Sequence, residues 1–306
     1  MNEKSITTIT LKKINKKSVY QYIYEHRQTA KQQIVQDLTM GLSTVSQNLN
    51  VLEKEGLISR DGFFESTGGR KAQVIQIVPE YRIAVGVGIL KNMFHLAAVN
   101  LYGEAIAEET VAVPFAQSDA YYDGIALSLE SFLDRNGYDR EKILGVSIAT
   151  QGIPAPDGES VLYGEILHNT DMKLADFSTR IPYPCRLEHD SKAAASLELW
   201  NHPEIESAVV FLLNRNLGGA VITNHKVHQG LSMHSGTLEH ICIDPEGPEC
   251  YCGQKGCLET YCSANALEAA AQMPVKEFFP ALRAGNDARL TEIWDAYLSH
   301  LAYAMK

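Results

Sequence analysis

Apolar residues recur at helical spacing across residues 19–52 and at strand spacing across much of the chain beyond. Val19, Ile23 and Tyr24 make an apolar stripe in SVYQYIYEH, and Ile34, Val35 and Leu38 make another in QQIVQDL. In STVSQNLNVLEKEG, Val45, Leu49 and Leu52 fall at i, i+4 and i+7, one face of a third helix. Gly41 suits a sharp turn before that helix, Ser43 is a good N-cap for it, and Gly56 closes it. The run LISRDGFFESTGGRKAQVIQI then reads as two β-rich segments around a Gly-rich tip. Helix, helix, turn, helix and hairpin in this order predict a winged helix-turn-helix. The outward face of the third helix carries Ser43, Thr44, Ser46, Gln47 and Asn50, short polar groups able to reach phosphates and base edges. Arg70 and Lys71 follow the Gly68-Gly69 tip, and an arginine on a narrow turn is shaped to enter a minor groove. The expected partner of this head is double-stranded DNA.

From Tyr81 the texture changes. IAVGVGI, HLAAVNL and AIAEETVAV are β-like runs with short turns, followed by a helical stretch, YYDGIALSLESFLDR, and the strand ILGVSIAT. CRLEHD reads as a short strand running directly into the helix SKAAASLELW, and AVVFLLN with GGAVITN as a further strand pair. Strands and helices alternating at this rhythm predict an α/β body. The expected domains are 1–80 for the head, 81–190 for a first α/β lobe and 191–306 for a second.

Charge sharpens this division. The chain has 306 residues and a formal net charge of −10. Residues 1–80 hold 11 Lys+Arg and 8 Asp+Glu, whereas the remainder is strongly acidic. A basic head on an acidic body is expected to present only the head to a polyanion. The N-terminal MNEKSITTITLKK lacks the apolar core of a signal peptide, and the longest apolar run, AVVFLL, is too short to span a bilayer. The expected location is the cytoplasm, with no membrane partner.

Three of the six cysteines fall within eight residues, in EHICIDPEGPECYCGQKGCLE. Cys250, Cys252 and Cys257 with His240 make a complete tetrahedral ligand set for zinc, and a closed set of four reads as structural, one ion per chain. Gly253 and Gly256 supply permissive dihedrals where the chain must fold around an ion. A disulfide fits less well, since nothing marks the chain as secreted.

The segments GLSTVSQNL, STGGRK, LGVSIATQG, EHDSKAAA and C-x-C-G-x-x-G-C-L-E together resemble the ROK family of repressors, open reading frames and sugar kinases, on the side of its xylose and N-acetylglucosamine repressors. The resemblance runs from about Lys16 to the end. It implies an actin-like (ribonuclease H-like), two-lobed sugar-kinase-type body with a ligand cleft between the lobes. The family's phosphate loop, Asp-x-Gly-Gly-Thr, is matched here by Gly88-Ile89-Leu90-Lys91-Asn92, without the aspartate, the paired glycines or the threonine. The adenosine-side loop reads Asn214-Arg215-Asn216-Leu217-Gly218-Gly219. Phosphoryl transfer depends on positioning the phosphates, so no enzyme activity is expected; an active sugar kinase with a retained DNA-binding head is the alternative. On the sugar side the resemblance implies an effector held by Asn169, His189, Asp190, His240 and Glu259, with Asp190 in the place of the family's catalytic base. Gly-Glu-x-Gly-His reads Gly236-Thr237-Leu238-Glu239-His240, so a sugar-binding glutamate is replaced by threonine. The family body normally continues beyond a helix like TEIWDAYLSHLAYAMK, so the C-terminus is expected to be short. The resemblance further implies a sugar-type effector and a homodimer or homotetramer on paired DNA half-sites.

Overall fold

The computed structural model describes residues 8–65 and 71–306. It divides into two units, Met1–Ile83 with Asn100–Tyr102, and Ala84–Val99 with Gly103–Lys306.

The smaller unit comprises α1 (Thr8–His26), β1 (Gln28–Thr29), α2 (Lys31–Asp37), α3 (Leu42–Lys54), β2 (Ile58–Ser59) and β3 (Ile75–Ile77). The strands lie in the order β1-β3-β2, with β3 antiparallel to both neighbours. Val19 and Ile23 of α1, Ile34 of α2 and Val45, Leu49 and Leu52 of α3 close on Ile58, Ile75 and Ile77 of the sheet. The helical spacing therefore picked out the inward faces. Ser43 is not the cap expected of it. Gly41, extended at φ −60° and ψ 141°, is the N-cap, and its carbonyl accepts from the Val45 amide at 3.0 Å. The helix thus starts two residues early, which leaves Ser43 in its first turn, exposed. Gly56 does end α3. At φ +76° it lets the Gly56 and Leu57 amides turn back to the Glu53 and Leu52 carbonyls, both at 2.9 Å, a Schellman closure. An isolated bridge, Phe63 to Gln73, extends the hairpin toward its tip. Arg70 lies outside the described residues.

The larger unit opens with a meander of β4 (Ile83–Leu90), β5 (Met93–Val99) and β6 (Ala105–Val111), then α4 (Asp119–Arg135) and β7 (Ile143–Thr150). Residues of β4 alternate between buried and half-buried along its whole length, which is why its sequence reads at period two. A small hairpin, β8 (Ile153–Pro154) with β9 (Val161–Tyr163), and the short α5 (Ala175–Ser178) lead to β10 (Cys185–His189) and α6 (Asp190–Asn201). The sheet order is β10-β7-β4-β5-β6, with β10 parallel to β7. A second, antiparallel sheet comprises β11 (Ala208–Leu212), β12 (Gly218–Thr223) and β13 (Lys226–Val227). The helices α7 (Glu259–Cys262), α8 (Ala264–Ala271), α9 (Val275–Ala284) and α10 (Ala288–Ala304) complete the unit around Leu258, Leu267, Phe278, Leu290 and Tyr297. Among the described residues no helix is long and apolar enough to cross a membrane.

Candidate metal centre, ligand cleft and recognition helix

His240 ends a 3-10 turn, Leu238–His240, while Cys250 and Cys252 sit in a tight hairpin closed by a bridge between Glu249 and Lys255. The Cys250 amide donates to the Gln254 carbonyl at 2.7 Å and the Gly253 amide to the Cys250 carbonyl at 2.9 Å. Gly253 and Gly256 are left-handed, at φ +83° and +65°. A Cβ on Gly256 would stand 1.6 Å from the Asp244 carbonyl oxygen, so no other residue fits there. The chain thereby brings one donor atom from each of His240, Cys250, Cys252 and Cys257 to within 4.8 Å of every other. His240 Nδ1 lies 3.8 Å from Cys250 Sγ, and the sulfurs of Cys252 and Cys257 are 3.7 Å apart. A tetrahedron with metal–sulfur bonds of about 2.3 Å has edges of about 3.8 Å, so the donor set fits a metal ion of zinc's size. Burial and a hydrogen bond with Cys252 push the metal-free Cys257 thiol up to about 12. Metal binding must displace that proton.

His240 also lines a cavity of about 210 Å³, together with Tyr163, Glu165, His189, Asp190, Thr237, Glu239 and Tyr251. Asp190 is the first residue of α6, with His189 as N-cap, so the carboxylate does not cap the helix. One of its oxygens accepts from the Ser191 amide at 2.6 Å. Burial pushes the Asp190 carboxyl up to about 6, against the bonds to Ser191. His189 bonds Ser191 Oγ through Nδ1 at 2.8 Å. Burial, with Lys192 and His234 nearby, drives its imidazole down to about 4. Glu239 is only 5% exposed, and its Oε2 has no hydrogen-bond partner. Burial, then the neighbouring Asp190 and Glu259 charges, raises it to about 7.

A larger cavity of about 860 Å³ adjoins the first and shares Gln151, Glu165, Ile166 and Tyr251 with it. Leu90-Lys91-Asn92 and Asn214-Arg215-Asn216 both line this space. Leu90 pairs with Met93, so Lys91-Asn92 is a two-residue turn between β4 and β5.

On the smaller unit, Ser43, Gln47 and Asn50 of α3 are exposed, Thr44 and Ser46 half-buried, and Lys71, on the return side of the hairpin, exposed. The Asn50 side-chain oxygen Oδ1 accepts from an Arg60 guanidinium nitrogen at 2.7 Å, and the same nitrogen pairs with Glu53 at 3.3 Å.

The sequence profile described as the ROK family matches residues 82–305. The chain belongs to the ROK family. An N-acetylglucosamine repressor of Escherichia coli O157:H7 is 25% identical over 263 residues, covering 84% of the chain, which reaches into the stretch before residue 82. The chain spans 64% of that repressor's length. The crystal structure of a ROK family transcriptional regulator, a homologue of the E. coli MLC protein, aligns over 96% of this chain and 79% of its own at TM-score 0.72 and 19% identity. A ROK glucokinase from Streptomyces griseus, solved with glucose and AMPPNP, aligns over 73% of this chain and 78% of its own at TM-score 0.65 and 20% identity. The larger unit thus has the α/β fold of the ROK kinase-type body.

Of the residues assigned to the ROK cleft from the sequence, His189, Asp190 and His240 line the smaller cavity; Asn169 and Glu259 do not. Asn169 is fully buried, donates to Thr150 Oγ1 at 2.9 Å and packs against Gly152 and Gly164 behind the wall. Glu259 is committed to the loop after β11, accepting from Asn216 Nδ2 at 2.7 Å and the Leu217 amide at 2.6 Å. Glu239 was missed. Its signal lay in the family comparison itself, where a carboxylate replaces the second glycine of Gly-Glu-x-Gly-His, two residues after the lost glutamate.

Proposed function

We propose that this chain is a DNA-binding transcriptional regulator, a repressor of carbohydrate-utilisation genes, whose ROK body binds a sugar or sugar derivative without phosphorylating it. One observation carries the reading. Likeness to the ROK regulator extends over 96% of the chain, whereas likeness to the glucokinase stops at 73%. The head, residues 1–80 with its hairpin, is then a winged helix-turn-helix, and the lobes divide near residue 190. Ser43, Thr44, Ser46 and Gln47 on α3 face the major groove, Arg70 and Lys71 the minor groove, and Asn50 acts together with Arg60. Two such heads, in a homodimer or homotetramer, would multiply modest single contacts on paired half-sites.

Zinc at His240, Cys250, Cys252 and Cys257 would supply structural strength, pinning the segment that carries Glu239 and Tyr251 to the cleft wall. His189, Asp190, Glu239 and the free edge of His240 would hold hydroxyl groups, with carboxylates giving the stronger, charge-assisted bonds. Asn169 and Glu259 would serve from behind, by fixing the walls. A two-residue turn at Lys91-Asn92 provides no glycine-lined backbone cradle for phosphates, which argues against phosphoryl transfer.

The test is an operator-release assay with the purified full chain and a panel of sugars and sugar derivatives, run beside an ATP-turnover assay. Release by one sugar without turnover is the expected outcome. Turnover with any hexose would overturn the repressor-only reading in favour of an active kinase with a DNA-binding head.

A further inference from the structure

The proposed ligand set leaves a nearby thiol unused. Cys242 is exposed and free, and it lies opposite Cys257 in an isolated antiparallel bridge. The flanking hydrogen bonds run from the Ile243 amide to the Gly256 carbonyl at 2.7 Å and from the Leu258 amide to the Ile241 carbonyl at 2.8 Å. Cys242 and Cys257 are therefore a non-hydrogen-bonded pair, the kind whose side chains stand closest, with Cα atoms about 4.5 Å apart. That separation lies within the roughly 4.4–6.8 Å that a disulfide spans. Cys242 Sγ now donates to the Lys255 carbonyl at 3.7 Å. Rotation about its Cα–Cβ bond exchanges that weak contact for the Cys257 sulfur. Cys257 is fully buried and Cys242 is not, so an oxidant in solution meets Cys242 first.

We propose that Cys242 is an oxidant-sensing thiol that disconnects the bound metal by forming a disulfide with Cys257. The inference rests on the reading of His240, Cys250, Cys252 and Cys257 as a zinc site. The oxidant is a hydroperoxide. The Cys242 thiolate attacks one peroxide oxygen and breaks the O–O bond, giving a sulfenic acid, and the departing hydroxide of hydrogen peroxide takes up a proton from solvent to leave as one water. The Cys257 thiolate then attacks the Cys242 sulfur; the S–O bond breaks, and the hydroxyl leaves as a second water on taking up a proton. Each sulfur gives up one electron, and the peroxide takes both. Zinc loses one of four ligands and leaves the remaining three. Because His240 and Tyr251 line the cleft, its wall loosens at the same time.

The test treats the zinc-loaded full chain with graded hydrogen peroxide. Metal release is followed with a chromophoric chelator and disulfides are mapped by non-reducing peptide mass spectrometry. In the wild type, zinc release should accompany a Cys242–Cys257 peptide pair, and a dithiol with added zinc should restore both. Cys242→Ser, an exposed change, should match the wild type in zinc content and melting temperature before oxidation. It should then keep its zinc at doses that empty the wild type. Cys185→Ser, a half-buried thiol on β10, should behave as the wild type. Equal release from Cys242→Ser would overturn the proposal, as would a Cys252–Cys257 disulfide, whose sulfurs already lie 3.7 Å apart. Protein that never holds zinc would sink the metal reading instead, and the disulfide map would still decide whether Cys242 and Cys257 pair.

Discussion

At the scale of single residues, the cleft chemistry turns on how burial changes carboxylates. Glu239 has one oxygen without a partner, a cost that a ligand hydroxyl can remove. At about pH 8, where both carboxylates are ionised, Asp190→Asn and Glu239→Gln should each weaken a sugar effector by about 1.5–3 kcal/mol, the value of a hydrogen bond to a charged group, and leave ligand-free operator binding unchanged. Calorimetric titration with an effector checks both. The pH response has a definite sign. Glu239, at about 7 when folded against 4.5 in the reference state, retains a proton that the unfolded chain releases. Its contribution to stability is therefore present at low pH and lost as pH rises through about 7. Asp190 behaves likewise between 3.8 and about 6. His189 opposes them, because the unfolded chain takes up a proton near 6.5 that the folded site refuses until about 4. Removing Glu239 isolates its part. The melting temperature of Glu239→Gln, measured relative to wild type, should move in the variant's favour from about pH 5 to about pH 8.

At the scale of elements, the hairpin of the candidate metal centre depends on one glycine as much as on its donor residues. Gly256→Ala places a methyl group against the Asp244 backbone in a left-handed conformation, so the donor cluster cannot close. Its zinc content by elemental analysis should fall well below one per chain. Cys252→Ser should also lose the ion, and lower stability by several kcal/mol, since binding energy in such a site is folding energy. The helix proposed to read DNA has a different dependence. Val45, Leu49 and Leu52 fasten α3 to its unit, so Gln47 on the exposed face can change without cost to the fold. Gln47→Ala should cost about 1–3 kcal/mol of operator affinity and relax specificity at one base pair. Equal weakening on operator and random DNA in a gel-shift series would assign Gln47 to the phosphate backbone.

For the molecule as a whole, the two units present different chemistry: a head with an exposed polar helix, and an acidic body with adjoining cavities. A sugar that binds the folded body should raise its melting temperature by mass action, and ATP alone should not. Zinc removal by a chelator should lower the melting temperature and abolish the sugar-dependent rise together, since His240 belongs to both the cluster and the cavity wall.

Much of this was legible in the sequence because it is written locally. Helical stripes marked the inward faces of α1, α2 and α3, period-two alternation marked β4, and the spacing of Cys250, Cys252 and Cys257 with His240 marked the cluster. Each is a repeat or motif within a short stretch, and backbone geometry turns such spacing directly into a face or a loop. Only the tertiary structure decided what lies at the cavity surface and what lies behind it. Asn169 and Glu259 carry suitable groups in suitable motifs, yet packing against Gly152 and Gly164, and bonds to the Asn216-Leu217 loop, hold them in the walls. Glu239, adjacent to His240 of the donor cluster, lines the cavity. Likewise the start of α3 moved from Ser43 to Gly41 because the Gly41 carbonyl found the Val45 amide. Spacing along the chain selects which residues can meet; burial among distant elements decides which side of a wall they face.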